Sequence, residues 1–94
     1  MLNMLAILLA FVIRGHTLTL TLHPAAETVL VDVEVGNDDY YRSSSFYTAG
    51  ANCRQRACGV ELRDLPSGEL AVWVSEKDAT GAIINIDKRS FYIR

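Results

Sequence analysis

Few side chains in this 94-residue sequence are of a type and spacing to do chemistry. Cys53 and Cys58 are its only cysteines, and they bracket Arg54-Gln55-Arg56-Ala57. Three chemistries are open to such a pair. A thiol-redox centre usually needs Cys-x-x-Cys at a helix N-terminus, where the thiol pKa falls. Here four residues intervene and no helical pattern follows. Arg54 and Arg56 would lower a thiol pKa, which keeps a thiol-redox protein as the lesser reading. A zinc site needs four protein ligands, or three and a water, and the other good candidates, His16 and His23, are far away in the sequence. The third chemistry is a disulfide closing the tip of a β-hairpin, and the spacing suits it. A disulfide also bears on compartment, because such bonds persist in oxidising environments.

The other candidates are for binding. A loop clamped between Cys53 and Cys58 would present the guanidiniums of Arg54 and Arg56 to a carboxylate or sulfate on a partner; the plainer reading is a solvated turn. Trp73 is out of phase with Leu70, Val72 and Val74, so a core that takes those three turns Trp73 outward. An outward Trp on a sheet stacks on a sugar ring or anchors a protein interface, and Tyr40, Tyr41 and Tyr47 would extend that platform. The competing reading buries Trp73 under a loop. Asn37-Asp38-Asp39 is acidic but lacks the alternating spacing of a calcium loop. Ser43, Ser44 and Ser45 lie on a strand-like segment without a Gly-x-Ser-x-Gly elbow. No catalytic residue, metal or cofactor is implied, and the expectation is a protein that is not an enzyme.

Charge excludes one large class of partners. Lys plus Arg is 9 and Asp plus Glu is 11, a formal net charge of −2, whereas nucleic acid calls for a concentrated basic face. The N-terminus carries an apolar run, Met4 to Ile13. With Leu2 it would span about 18 Å as a helix, short of the roughly 30 Å hydrocarbon core of a bilayer. Its length fits the hydrophobic region of a secretory signal peptide, although no Lys or Arg precedes it and Ile13-Arg14-Gly15 is a poor cleavage site. A buried first strand and a membrane anchor stay open as alternatives. The expected organisation is a leader over residues 1–16 and one domain over residues 17–94. Contact with a membrane is expected only through an uncleaved leader, and the location expected is periplasmic or secreted.

These residues must be positioned by strands. Thr17-Leu18-Thr19-Leu20-Thr21-Leu22 alternates with period two. Val29, Val31, Val33 and Val35 alternate with Leu30, Asp32 and Glu34. Tyr40 to Thr48 is strand-like with an unclear phase. Val60, Leu62 and Asp64 share a face, and Leu65-Pro66-Ser67-Gly68 turns the chain into the Leu70–Ser75 alternation. Ile83–Ile86 and Ser90–Ile93 read as two short strands separated by Asp87-Lys88-Arg89. No amphipathic helix of ten or more residues follows the leader, and βαβ spacing is absent, which excludes Rossmann-type and thioredoxin-type sheets. Six to seven short strands with turns every 8–12 residues predict an all-β fold, a single antiparallel β-sandwich, with a closed small barrel as the alternative.

The segment Asp64-Leu65-Pro66-Ser67-Gly68-Glu69-Leu70-Ala71-Val72-Trp73-Val74 resembles the hairpin of prealbumin-like sandwiches, such as carboxypeptidase regulatory-like and collagen-adhesin repeat domains. The likeness covers about a dozen residues, with Leu70 where those families often have Tyr. It implies an Ig-like sandwich acting as an accessory or adhesive module, without catalytic residues. The sequence therefore predicts a small exported binding module that meets a protein or carbohydrate surface. Its alternative is a structural subunit that oligomerises through edge strands such as 17–22 and 90–94.

Overall fold

β-Branched threonines alternating with leucines cannot satisfy both faces in water, so Thr17–Leu22 becomes a strand that buries one face. Leu18, Leu20 and Leu22 are fully buried and the threonines between them only partly so. The same rule builds the rest of the molecule. The computed structural model describes residues 8–94, with side chains described from residue 10 onward. Eight strands follow in order: β1 (Leu8–Arg14), β2 (Thr17–Leu22), β3 (Leu30–Gly36), β4 (Tyr41–Tyr47), β5 (Cys53–Arg54), β6 (Ala57–Leu62), β7 (Gly68–Lys77) and β8 (Ile83–Ile93).

They form two four-stranded antiparallel sheets, β1-β2-β6-β5 and β4-β3-β7-β8. The core between them takes Leu18, Leu20, Leu22, Val60 and Leu62 from one sheet and Val31, Val33, Val35, Leu70, Val72, Val74, Phe91 and Ile93 from the other. At one side of the sandwich Phe11 of β1 meets Phe91 of β8 edge to face, with ring centroids 5.5 Å apart. An edge-to-face pair is worth about 1 kcal/mol beyond the area it buries. Leu65 closes one end. His16 Nδ1 donates to the Leu65 carbonyl at 2.7 Å, and the Leu65 amide donates to the His16 carbonyl at 2.9 Å. The β1–β2 turn is thereby tied to the turn before β7.

The expected sandwich is present, with eight strands rather than six or seven. The sequence-based expectations differ from the structure at five places. Leu8–Arg14, inside the apolar leader, forms β1 and pairs with β2; the part of the leader over residues 1–7 lies outside the described residues. Strand Thr17–Leu22 is therefore not an edge, because β1 and β6 occupy both its sides. Val29 precedes β3 and is 38% exposed, unlike the three valines that follow in its phase. Asp64 lies beyond β6 with φ at +60°, so its side chain leaves the face of Val60 and Leu62. Ile83–Ile93 is one continuous strand paired along β7, not two. Asp87-Lys88-Arg89 reads as a loop by charge, yet β8 is an edge strand, where charge is tolerated and discourages wrong pairing.

Candidate functional site

The outer face of the β4-β3-β7-β8 sheet is where the chain gathers side chains that can bind. Period two sends Val31, Val33 and Val35 of β3 and Leu70, Val72 and Val74 of β7 inward, which leaves Glu34 and Trp73 facing out. Register then sets them side by side: Glu34 pairs with Trp73, and Trp73 with Lys88. The Lys88 ammonium sits over the Trp73 ring, 5.3 Å from its centroid, a contact worth about 0.5–1 kcal/mol at an exposed site. Tyr41 OH donates to Glu34 Oε2 at 2.7 Å. That hydrogen bond raises the Tyr41 phenol above its ordinary pKa, with the negative charges of Glu34 and Asp32 adding to the effect.

A hollow opens beside Trp73 where the β3–β4 connection meets the start of β7. Two adjoining depressions, about 410 and 340 Å³, share Gly36, Asn37, Asp38 and Trp73 in their walls. Gly36 forms part of the wall because nothing larger fits: a Cβ there would collide with the Tyr40 carbonyl oxygen. Asn37 holds the rim. Its Oδ1 accepts from the Asp39 amide at 2.9 Å, its Nδ2 donates to the Glu69 carbonyl at 3.0 Å, and its own amide donates to the Tyr40 carbonyl at 2.9 Å. The Asn37–Tyr40 turn is thereby fixed to β7 rather than left loose.

Compared with models of known protein families and with curated proteins, the chain matches neither. The reading of this face therefore rests on its own geometry.

Of the residues singled out from sequence, the structure brings Trp73 and Tyr41 together at the hollow. Tyr40 packs against the core instead. Tyr47 is exposed on the same outer face, but in the row of Leu30 and Lys77. That row lies four residues along β7 from Trp73, about 13 Å at strand rise. Cys53 and Cys58 are disulfide-bonded, as the spacing suggests, and face each other across β5 and β6 with Cα atoms 4.0 Å apart. Gln55 and Arg56 make the two-residue turn between them, both with positive φ. Arg54 is exposed at that tip. Arg56 folds back, and its Nη2 donates to the carbonyls of Pro24 (3.3 Å) and Ala25. The tip stands at the β2–β3 connection, the opposite end of β3 from Gly36, so the arginines and Trp73 do not share a site.

One chemically loaded residue escaped the sequence reading. Glu76 is fully buried. Its Oε1 accepts from Thr28 Oγ1 (2.5 Å), the Ala25 amide (3.0 Å) and Asn85 Nδ2 (3.2 Å), while Oε2 has no partner. Extending the Leu70-Val72-Val74 alternation by one step would have placed it inward. It ties the β2–β3 connection to β7 and β8, which is a structural duty.

Proposed function

We propose that this protein is a small, non-catalytic binding module that recognises a partner surface through the outer face of the β4-β3-β7-β8 sheet. The observation that carries this reading is the meeting of two depressions at Trp73, the one tryptophan of the chain. Large aromatic side chains at concave surfaces dominate recognition energetics, and the hollow is held by β3, β7 and a hydrogen-bonded turn rather than by a mobile loop. The shape is shallow, which suits a surface or an extended segment more than an enclosed metabolite. Export to a periplasmic or extracellular location belongs to the same reading. The disulfide is compatible with an oxidising compartment. The likeness to accessory prealbumin-like sandwiches points the same way.

The test is a comparison of wild type and Trp73→Ala on glycan and peptide arrays. The expected result is a set of array signals that the variant loses while its circular dichroism and urea midpoint show a folded sandwich. Signals that survive in folded Trp73→Ala would remove this face from consideration.

A second reading is assembly through sheet edges. β8 is long and free on one side among the described residues, and it exposes Ile83 (56%) and Ile86 (43%). Unpaired edges of this length are templates for another strand.

A further inference from the structure

We infer that the hollow beside Trp73 takes a cationic ligand, a lysine- or arginine-bearing segment of a partner protein; this rests on the reading of that face as a recognition surface. The walls of the two depressions carry Glu34, Asp38, Asp39 and Glu69 against a single basic residue, Lys88. A lining charge of −3 compares with −2 for the whole sequence, so the acidity is local and the rest of the molecule is close to neutral. None of these four carboxylates is neutralised by an ion pair. Among the described residues the ion pairs are Arg63–Glu61 and Lys77–Asp32, both outside the hollow.

The aromatic surface indicates the same ligand class. Trp73 already holds an ammonium, that of Lys88, over its ring. A tryptophan face attracts cations through its quadrupole, and carboxylates around it deepen the attraction. Tyr41 adds a second ring whose phenol is bound to Glu34. A guanidinium or ammonium from a partner would displace Lys88 from the ring, lie against Trp73 and reach the unpaired carboxylates at the rim. An anionic ligand meets repulsion there, and a neutral sugar ring gains nothing from the net charge of the four carboxylates.

The experiment uses the emission of Trp73, which reports on the hollow alone. Wild-type protein is titrated at low salt with three probes: hexaarginine peptide, hexaglutamate peptide and cellohexaose. Hexaarginine is expected to change the emission saturably, the change weakening as salt rises, while the other two leave it unchanged. The Glu34→Gln/Asp38→Asn double variant should bind hexaarginine about fivefold more weakly. A Glu27→Gln/Glu61→Gln variant, with the same charge change elsewhere, should shift by less than about twofold. Lys88→Gln should bind more tightly than wild type. Equal weakening in the two double variants would mean diffuse attraction and would overturn the inference. A response to cellohexaose but not to hexaarginine would leave the recognition face standing and overturn its cationic class. No response to any probe overturns the inference; if the array signals also survive Trp73→Ala, the face itself falls with it.

Discussion

At the scale of single residues, two side chains in neighbouring phases of β7 divide the work. Trp73 points outward because Val72 and Val74 point inward, and that much was legible from alternation alone. Glu76 shares the inward phase, and its charge hides this, since Glu is almost never fully buried unless paired. Three donors converge on its Oε1, and they are what compensates the burial. Removing the acceptor is therefore worse than removing the charge. Glu76→Ala leaves the Ala25 amide, the Thr28 hydroxyl and the Asn85 amide without their acceptor and opens a cavity, so a loss of about 3 kcal/mol is expected. Glu76→Gln keeps an acceptor oxygen and should lose only about 1 kcal/mol. Urea denaturation of the two variants checks the ordering, and equal losses would mean that the hydrogen bonds are not what holds Glu76 in place.

At the scale of elements, the hairpin of β5 and β6 shows both the reach of sequence reasoning and its limit. The cysteine spacing pointed to a clasp at a hairpin tip. It did not reveal that the turn inside the clasp is Gln55-Arg56 with both residues at positive φ, a conformation for which Asn-Gly is the favoured pair. Bulkier residues pay a steric penalty there, and β5 is only two residues long. The disulfide holds a hairpin whose sequence favours it little. Arg56 is then free to fold onto the Pro24 and Ala25 carbonyls. In Cys53→Ser/Cys58→Ser the chain-entropy contribution of about 2 kcal/mol should disappear. Amide exchange should quicken first at the tip and the β2–β3 connection, with the Trp73 hollow unchanged. Exchange that quickens uniformly over both sheets would show instead that the clasp supports the whole core. The continuity of β8 was not legible for the opposite reason: three charged residues in a row read as a loop, and only the pairing with β7 shows them to be the middle of an edge strand.

At the scale of the whole molecule, the apolar N-terminal run decides which sheet edges exist. With β1 in place, β2 is an inner strand, and among the described residues the free edges are those of β1, β5, β4 and β8. Phe11 leans on Phe91, and the β1–β2 turn is bound to Leu65 through His16. Residues 17–94 alone would lack all three of these supports. The backbone groups of β2 that pair with β1 would face solvent, beside leucines that are fully buried when β1 is present. Losing even the half-buried Phe11 costs on the order of 2 kcal/mol, and an unpaired β2 edge is a template for a foreign strand. The truncated chain should therefore unfold at lower urea than residues 1–94 and should sediment as a dimer or larger species at concentrations where the longer chain is monomeric. A synthetic peptide covering Leu8–Arg14 should return it to a monomer and recover the strand pairing and the Phe11 contact, but not the His16 tie to Leu65. If the truncated chain is monomeric and as stable as the longer one, β1 is dispensable to the sandwich. The run could then serve as a leader without cost to the fold, and assembly through the exposed β2 edge would lose its physical basis.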